Sequence, residues 1–514
     1  MNTLIMRRHR TQMIACLAAL LVAGLLSLQA AMASDHYGGT LIVGIQKDIR
    51  PLDVHTQRGY LVMFSAMQTH NYMARMTGDG TVEPRLATSW EHSPDGKTWI
   101  LHLRKGVKFA DGTDFDAAAV KWNLERCLKT QYRPDVQIAQ AIEPLDTHTI
   151  RITLTEPTYY IAYLTGGIFT IKFISPTAVQ KYGKDFVNHP NGTGPYMFES
   201  LTKDGTLTMV RNPYYWCEKP YMDRIVFKSF RDVRAKHNAL RAGEIDFEVG
   251  VQHATAEIIK KDPRLTLYVG PMTGGVNLAV NWTMKPWDDE RVRKAVLGYA
   301  VDRETIAKNV YFGYGKPKVS SGIMMPPYYK DYNDLYPYDL DKAKKLLEEA
   351  GFIGKEITFT INNTQQAYKN IAAVLKGSLD RIGVTLKIQT LDYQTWIKNF
   401  YFAHKIPFST TFNVYEDPRI FHQIYGPGRR INPTQMGLSM EQDPKLLTIL
   451  AEARRELDPK KRLEKYGKLT ELFVQRANPM GVTAYPVLHA FKKELKGFTY
   501  SGPNMVLDKV YWEK

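Results

Sequence analysis

Two adjacent guanidinium side chains, Arg429 and Arg430, follow the Gly426-Pro-Gly428 segment. A planar guanidinium fork matches a carboxylate or phosphate in bidentate geometry, so the pair reads either as an anion receiver or as a solvated loop pair. The other residues that could do chemistry are scattered. His237, His253, His404, His422 and His489 show no metal-ligand spacing and read as surface or hydrogen-bonded core residues. No His-Glu-x-x-His, Gly-x-Ser-x-Gly or phosphate-loop motif occurs. Gly313-Tyr-Gly-Lys316 is followed by Pro317, which has no backbone N–H to offer a phosphate, and Gly192-Thr-Gly-Pro195 lacks the dinucleotide spacing; both read as turns. The carboxylates form no recognisable acid–base pair. The reading is therefore no catalytic residues, no metal ligands and no cofactor. Aromatic residues are abundant, with 30 Tyr, 21 Phe and 8 Trp, enough to supply both core and the polar-tipped walls of a binding site.

The elements that must position such groups are legible as mixed strand and helix. Thr40 to Gln46 reads as a strand, and Trp99, Leu101 and Leu103 alternate with Ile100, His102 and Arg104. Ile150, Ile152 and Leu154, then Ile357, Phe359 and Ile361, then Val384, Leu386 and Ile388, repeat that period of two. Val292, Ala295, Val296 and Tyr299 follow helical spacing, as do Ala343, Leu346, Leu347 and Ala350 before Gly351. Asp302 and Ser175 are placed as helix N-caps, the latter before Pro176, and Pro459 to Gln475 reads as a long helix. This order implies α/β architecture rather than a bundle or a sandwich. Breaker clusters mark seams at 188–195, 270–275 and 425–433.

The chain has 514 residues, 44% hydrophobic and 23% charged, a size that implies about three domains. That composition excludes a disordered tail, a collagen-like fibre and a disulfide miniprotein. The formal charge of +16 fits nucleic acid, a membrane surface or an anionic solute equally well. The first residues narrow the choice. Arg7, Arg8 and Arg10 precede an apolar run from Met13 to Leu28, and Ala31-Met-Ala33 offers a small-x-small cleavage site. Residues 1–33 thus read as a cleavable signal peptide; the run is short for a membrane anchor, which needs about 20 apolar residues. Export argues against nucleic acid as a partner. It also allows Cys127 and Cys217 to pair, although two distant thiols are no framework.

Several longer motifs then stand out. Pro84-Arg-Leu-Ala-Thr-Ser-Trp90, Ser93-Pro-Asp-Gly-Lys-Thr-Trp99 and Leu103-Arg-Lys-Gly-Val-Lys-Phe-Ala-Asp-Gly112 follow one another. Further on come Gly192-Thr-Gly-Pro-Tyr196, Arg211-Asn-Pro-Tyr-Tyr-Trp216, the 287–306 segment, and Tyr338 to Phe352. Together they resemble the family 5 extracellular solute-binding proteins of ABC transporters, the dipeptide-, oligopeptide- and nickel-binding group, over essentially the whole exported chain.

The resemblance implies a bilobed periplasmic-binding-protein fold of type II, with a ligand cleft between lobes. It implies a discontinuous lobe I of 34–75, 190–275 and 490–514, an extra subdomain of 76–189, and a lobe II of 276–489. It implies a monomer in the periplasm that hands a small solute to the permease subunits of an importer. The family's peptide binders hold the ligand ammonium with an Asp four residues before the proline of an Asp-Pro pair. Here the pair is Asp417-Pro418 and that position is Val414, so the usual amine capture is in doubt unless Glu416 or Asp417 re-registers. Asp392-Tyr-Gln-Thr-Trp396 is similar to the family's (E/D)-W-x-x-Y with the aromatics exchanged, which makes Tyr393 a candidate pocket wall. Phe412 falls near a family pocket tryptophan. Asn413, Tyr415 and Asn277 are candidate polar contacts, and the 46–53 loop is expected to face the cleft. A di- or oligopeptide, or a related amino-acid or sugar conjugate, is the expected ligand, in anionic form if Arg429 and Arg430 receive it. The alternatives are a metal chelate such as nickel, for which His422 is the nearest histidine, and, from another class, a secreted hydrolase.

Overall fold

The computed structural model describes residues 36–46, 52–56, 66–76, 82–129, 138–158, 165–166, 171–272, 274–320, 328–413, 421, 444–501 and 504–513. The apolar segment at 1–33 lies outside them. Strand β1 (Thr40–Gln46) opens the fold. The chain then builds a small antiparallel sheet from β2 (Ala87–His92), β3 (Thr98–Leu103), β4 (Ala139–Asp146) and β5 (Thr149–Leu154), in the order β2-β3-β5-β4. Trp99, Leu101, Leu103, Ile150, Ile152 and Leu154 all turn inward, as their period of two requires. They pack on helix α1 (Ala117–Leu128), whose first turn is capped by the Asp116 carboxylate accepting from Ala119 N–H.

The chain returns to β1 with β6 (Tyr196–Leu201), β7 (Leu207–Arg211), β8 (Arg224–Phe230), β9 (Phe247–Val251) and β10 (Leu265–Val269). It then crosses to a second sheet made of β11 (Gly274–Val280), β12 (Lys316–Pro317), β13 (Glu356–Asn362), β14 (Thr385–Leu391), β15 (Phe408–Asn413) and β16 (Met480–Tyr485). After Tyr485 it crosses back, and β17 (Leu488–Lys492) joins the first sheet. The first sheet runs β10-β17-β9-β1-β8-β7-β6 and the second β12-β16-β11-β15-β13-β14. Each has its own apolar core, so the molecule is two lobes joined by two crossings, 269–274 and 485–488.

Local signals in the helices are realised, but the helix type differs: the segment that Asp302 caps is π-helical over Ile306–Val310. Asp302 caps by accepting from Thr305 N–H, and Ser175 does so for Ala178 ahead of Pro176. Val292, Ala295, Val296 and Tyr299 are buried on one face, yet after Arg293 the segment Lys294–Tyr299 is a π-helix rather than an α-helix. A 3.6-residue pattern cannot distinguish the two over so short a run. No disulfide joins Cys127 and Cys217: the first is buried in the small sheet's core and the second is exposed. No helix among the described residues is long and apolar enough to cross a membrane.

Candidate functional site

Both sheets present the C-terminal ends of parallel strands toward the crossings. In the first sheet β8 and β9 run parallel to β1, and Val251 at the end of β9 pairs with Leu488, where the chain enters from the second lobe. In the second sheet β13 runs parallel to β14 and β15, and Asn413 at the end of β15 pairs with Gly275, just after the other crossing. Open α/β sheets bind ligands outside such strand ends.

On the second sheet the register sorts the candidate residues. Antiparallel partners share a face, and alternate residues along a strand do too. Gly275 lies opposite position 413, Asn277 opposite Thr411, and Ala279 opposite Ser409, so these six positions share one face. Position 412 lies opposite Val276 and belongs to the other face, which carries the lobe's main core. By backbone register, positions 277 and 413 fall on one face of the sheet and position 412 on the other. Tyr415, Arg429, Arg430, Val414, Asp417 and His422 lie outside the described residues.

Tyr393 is tied to the same face. Asp392 accepts from Thr395 N–H and starts helix α2 (Tyr393–Ile397) directly after β14. The Tyr393 ring stacks on Trp396 with centroids 6.0 Å apart. Trp396 packs on Ala279, and its Nε1 donates to Ser409 Oγ at 2.8 Å. Tyr393 itself stays 41% exposed.

Asn277 is 0% exposed, and among the described residues neither its Nδ2 nor its Oδ1 has a hydrogen-bond partner. A buried unsatisfied polar group costs about 1–3 kcal/mol, so a whole carboxamide left so is a feature that asks for an explanation. The same neighbourhood holds a residue that sequence reasoning missed. Lys318 is fully buried, its Nζ lies 3.8 Å from where a Cβ on Gly275 would sit, and burial lowers its amine to about 7. In sequence, Lys318 sits in a Lys-Pro-Lys run that carries no signal of burial.

In the first lobe, sequence reasoning also missed an ion pair at Asp53, while residues 47–51 of the expected cleft loop lie outside the described residues. Asp53 takes both Arg126 nitrogens, at 3.1 and 2.6 Å, and accepts from His55 N–H. Burial pushes the Asp53 carboxyl up, but those bonds and the neighbouring positive charge outweigh it and hold the group below its ordinary value. A surface groove of about 380 Å³ lined by His237, Arg241, Lys261 and Arg264 lies at the other end of β10 from the crossing, away from these groups. Among the described residues no cluster of His, Cys, Asp and Glu is arranged to hold a metal ion.

Comparison with known proteins decides the class. Residues 81–428 match the model of the bacterial extracellular solute-binding proteins, family 5. The chain belongs to this family. The Salmonella paratyphi A glutathione-binding protein GsiB is 28% identical over 504 residues, covering 94% of this chain and 95% of that protein. Among solved structures, AgaA from A. tumefaciens R10, in complex with agropinic acid, is 25% identical with a TM-score of 0.77, covering 93% of this chain and 99% of AgaA. DppA from Helicobacter pylori, in complex with the peptide STSA, shares the fold with a TM-score of 0.79 at 24% identity, over 94% of this chain and 100% of DppA. The two crossed sheets are thus the bilobed type II fold of a family 5 solute-binding protein, and the protein is a solute-binding component of the ABC-transporter class.

Proposed function

We propose that this protein captures a small acidic peptide or a related amino-acid conjugate between its lobes and delivers it to the permease of an ABC importer, without catalysis. The reading rests chiefly on Asn277: a buried carboxamide with both a free donor and a free acceptor, on the strand-end face beside the Tyr393–Trp396 stack, matches the donor and acceptor of a peptide-like amide. The sequence's Arg429 and Arg430 support an acidic ligand. The relatives point the same way, since glutathione, agropinic acid and the peptide STSA are all amino-acid derivatives.

In this reading lobe I comprises 34–75, 190–273 and 486–514, the subdomain 76–189, and lobe II 274–485, so that Gly274 and Gly275 go with β11 and Leu488 and His489 with β17 instead of the expected bounds at 275/276 and 489/490. The signal peptide 1–33 is removed on export, and the mature monomer works in the periplasm. A melting screen tests the proposal. A ligand at 100 times its Kd adds about 2.7 kcal/mol of stability and raises the melting temperature by several degrees. Glutathione, short peptides and opine-type acids are the compounds to screen. No stabilisation by any of them would overturn the reading.

A further inference from the structure

The Ser93-Pro-Asp-Gly96 turn, singled out in sequence only as a motif, is the landing surface for an elbow of the second lobe. Helices α3 (Pro444–Arg455) and α4 (Pro459–Gln475) meet at that elbow, residues 456–458. Leu457 presses on Gly96: a Cβ there would lie 3.0 Å from a Leu457 methyl. Beside it, Arg454 Nη1 meets Glu156 Oε1 at 2.8 Å, and Arg455 Nη2 lies 4.0 Å from Oε2. Arg454 is 17% and Glu156 32% exposed, so water screens the pair only in part.

Both surfaces are held stiffly. On the elbow, Arg462 Nη1 donates to the Glu456 and Leu457 carbonyls, and Asp458 caps α4 by accepting from Lys460 and Lys461 N–H. On the turn, Asp95 accepts from Lys97 N–H, Gly96 N–H donates to the Ser93 carbonyl, and Thr158 N–H reaches the Gly96 carbonyl.

The two sides belong to different bodies. Helix α4 is bound to the second lobe by Tyr332 and Tyr336, whose hydroxyls donate to the Gly467 and Gln475 carbonyls, and it leads into β16. The small sheet is fastened to the first lobe: Trp216, just beyond β7, packs on its core, and Ala110 N–H donates to the Gly192 carbonyl. The contact therefore bridges the lobes outside the two crossings, and rotation about the crossings must make or break it.

We infer that Glu156–Arg454, with Leu457 on Gly96, is a latch that holds the lobes together and sets how long ligand stays. Glu156 and Arg454 are positioning residues that act on closure without touching ligand. The inference rests on the capture function proposed above, but its first test needs no ligand. Small-angle scattering of the ligand-free protein is expected to show a larger radius of gyration for Glu156→Arg and Arg454→Glu, a smaller increase for Glu156→Gln, and recovery in the Glu156→Arg/Arg454→Glu double variant. High salt is expected to expand the wild type toward Glu156→Gln and to leave Glu156→Gln unchanged. With glutathione as probe, Glu156→Gln is expected to dissociate roughly fivefold faster. Radii identical in all variants, or no recovery on charge exchange, would overturn the latch even if wild type binds glutathione. Failure of wild type to bind any screened solute, with the radii shifting as expected, would overturn the ligand assignment and leave the latch standing.

Discussion

Trp396 Nε1 donates to Ser409 Oγ at 2.8 Å, and that hydroxyl donates in turn to the Thr360 carbonyl at 2.6 Å. One small hydroxyl thus pins α2 to two strands of the second sheet and fixes the aromatic stack that carries Tyr393. Ser409→Ala leaves a buried indole N–H without its partner and is expected to cost about 1–3 kcal/mol. In Ser409→Ala/Trp396→Phe the orphaned donor is gone, so the double variant should be more stable than the sum of the single losses. Urea unfolding of the four proteins measures that coupling.

Asn277 separates function from stability. Leu has nearly the same size and no polar atoms to orphan. Asn277→Leu is expected to leave the ligand-free protein as stable as wild type or up to about 1 kcal/mol more so. Affinity for the captured solute is expected to fall at least about tenfold, the equivalent of roughly 1.4 kcal/mol. Melting curves and titration calorimetry on one preparation check both. A loss of stability with unchanged affinity would make Asn277 a structural residue.

Acid is expected to unfold the protein by way of its histidines. His70, His253 and His489 are held neutral, at about 3, 4 and 3, each mainly by burial. The charges of Lys172 and His55 push His70 further down, and that of Lys236 does the same for His489. The unfolded chain takes up these protons near pH 6.5 and the folded one does not, so between about pH 6.5 and 4 the unfolded state binds more protons. Stability is therefore complete above about pH 6.5 and falls below it, by up to about 1.4 kcal/mol per pH unit for each group. Urea unfolding at pH 7.5, 6 and 5 should follow that slope, and His253→Gln should flatten it.

Two glycines should respond with opposite signs. A Cβ on Gly194 would lie 2.4 to 2.6 Å from backbone atoms of Gln68, Thr69 and His70. Backbone cannot move aside cheaply, so Gly194→Ala is expected to destabilise by about 3 kcal/mol or more. Gly467 sits inside α4 with open space around it, and Gly467→Ala should stabilise by up to about 1 kcal/mol. Melting temperatures of the two variants decide the point.

The Gly192-Thr-Gly194 segment also shows where sequence reading stops. Two glycines near a proline read as a turn, but here they let the backbone of residues 68–70 approach closely. The partner lies more than 120 residues away, and no local pattern encodes it. Asn277 and Lys318 are similar cases. Their residue types were visible, but burial without an amide partner, and burial near Gly275, arise only when β11, β12, β15 and β16 come together.

The sequence by itself determined two strands of the small sheet, Thr98–Leu103 and Thr149–Leu154, the caps at Asp302 and Ser175, and the family, because period, capping and motif spacing are local properties that short-range sterics and solvation enforce. Tertiary structure alone decided which face of β15 meets Asn277, that Cys127 and Cys217 stay apart, and that the Ser93–Gly96 turn meets Leu457. The reason is physical. Pairing β1 with β8 joins Thr40 to Arg224, and the latch joins Glu156 to Arg454. Such contacts depend on how whole sheets bury their faces and not on the residues beside them in the chain.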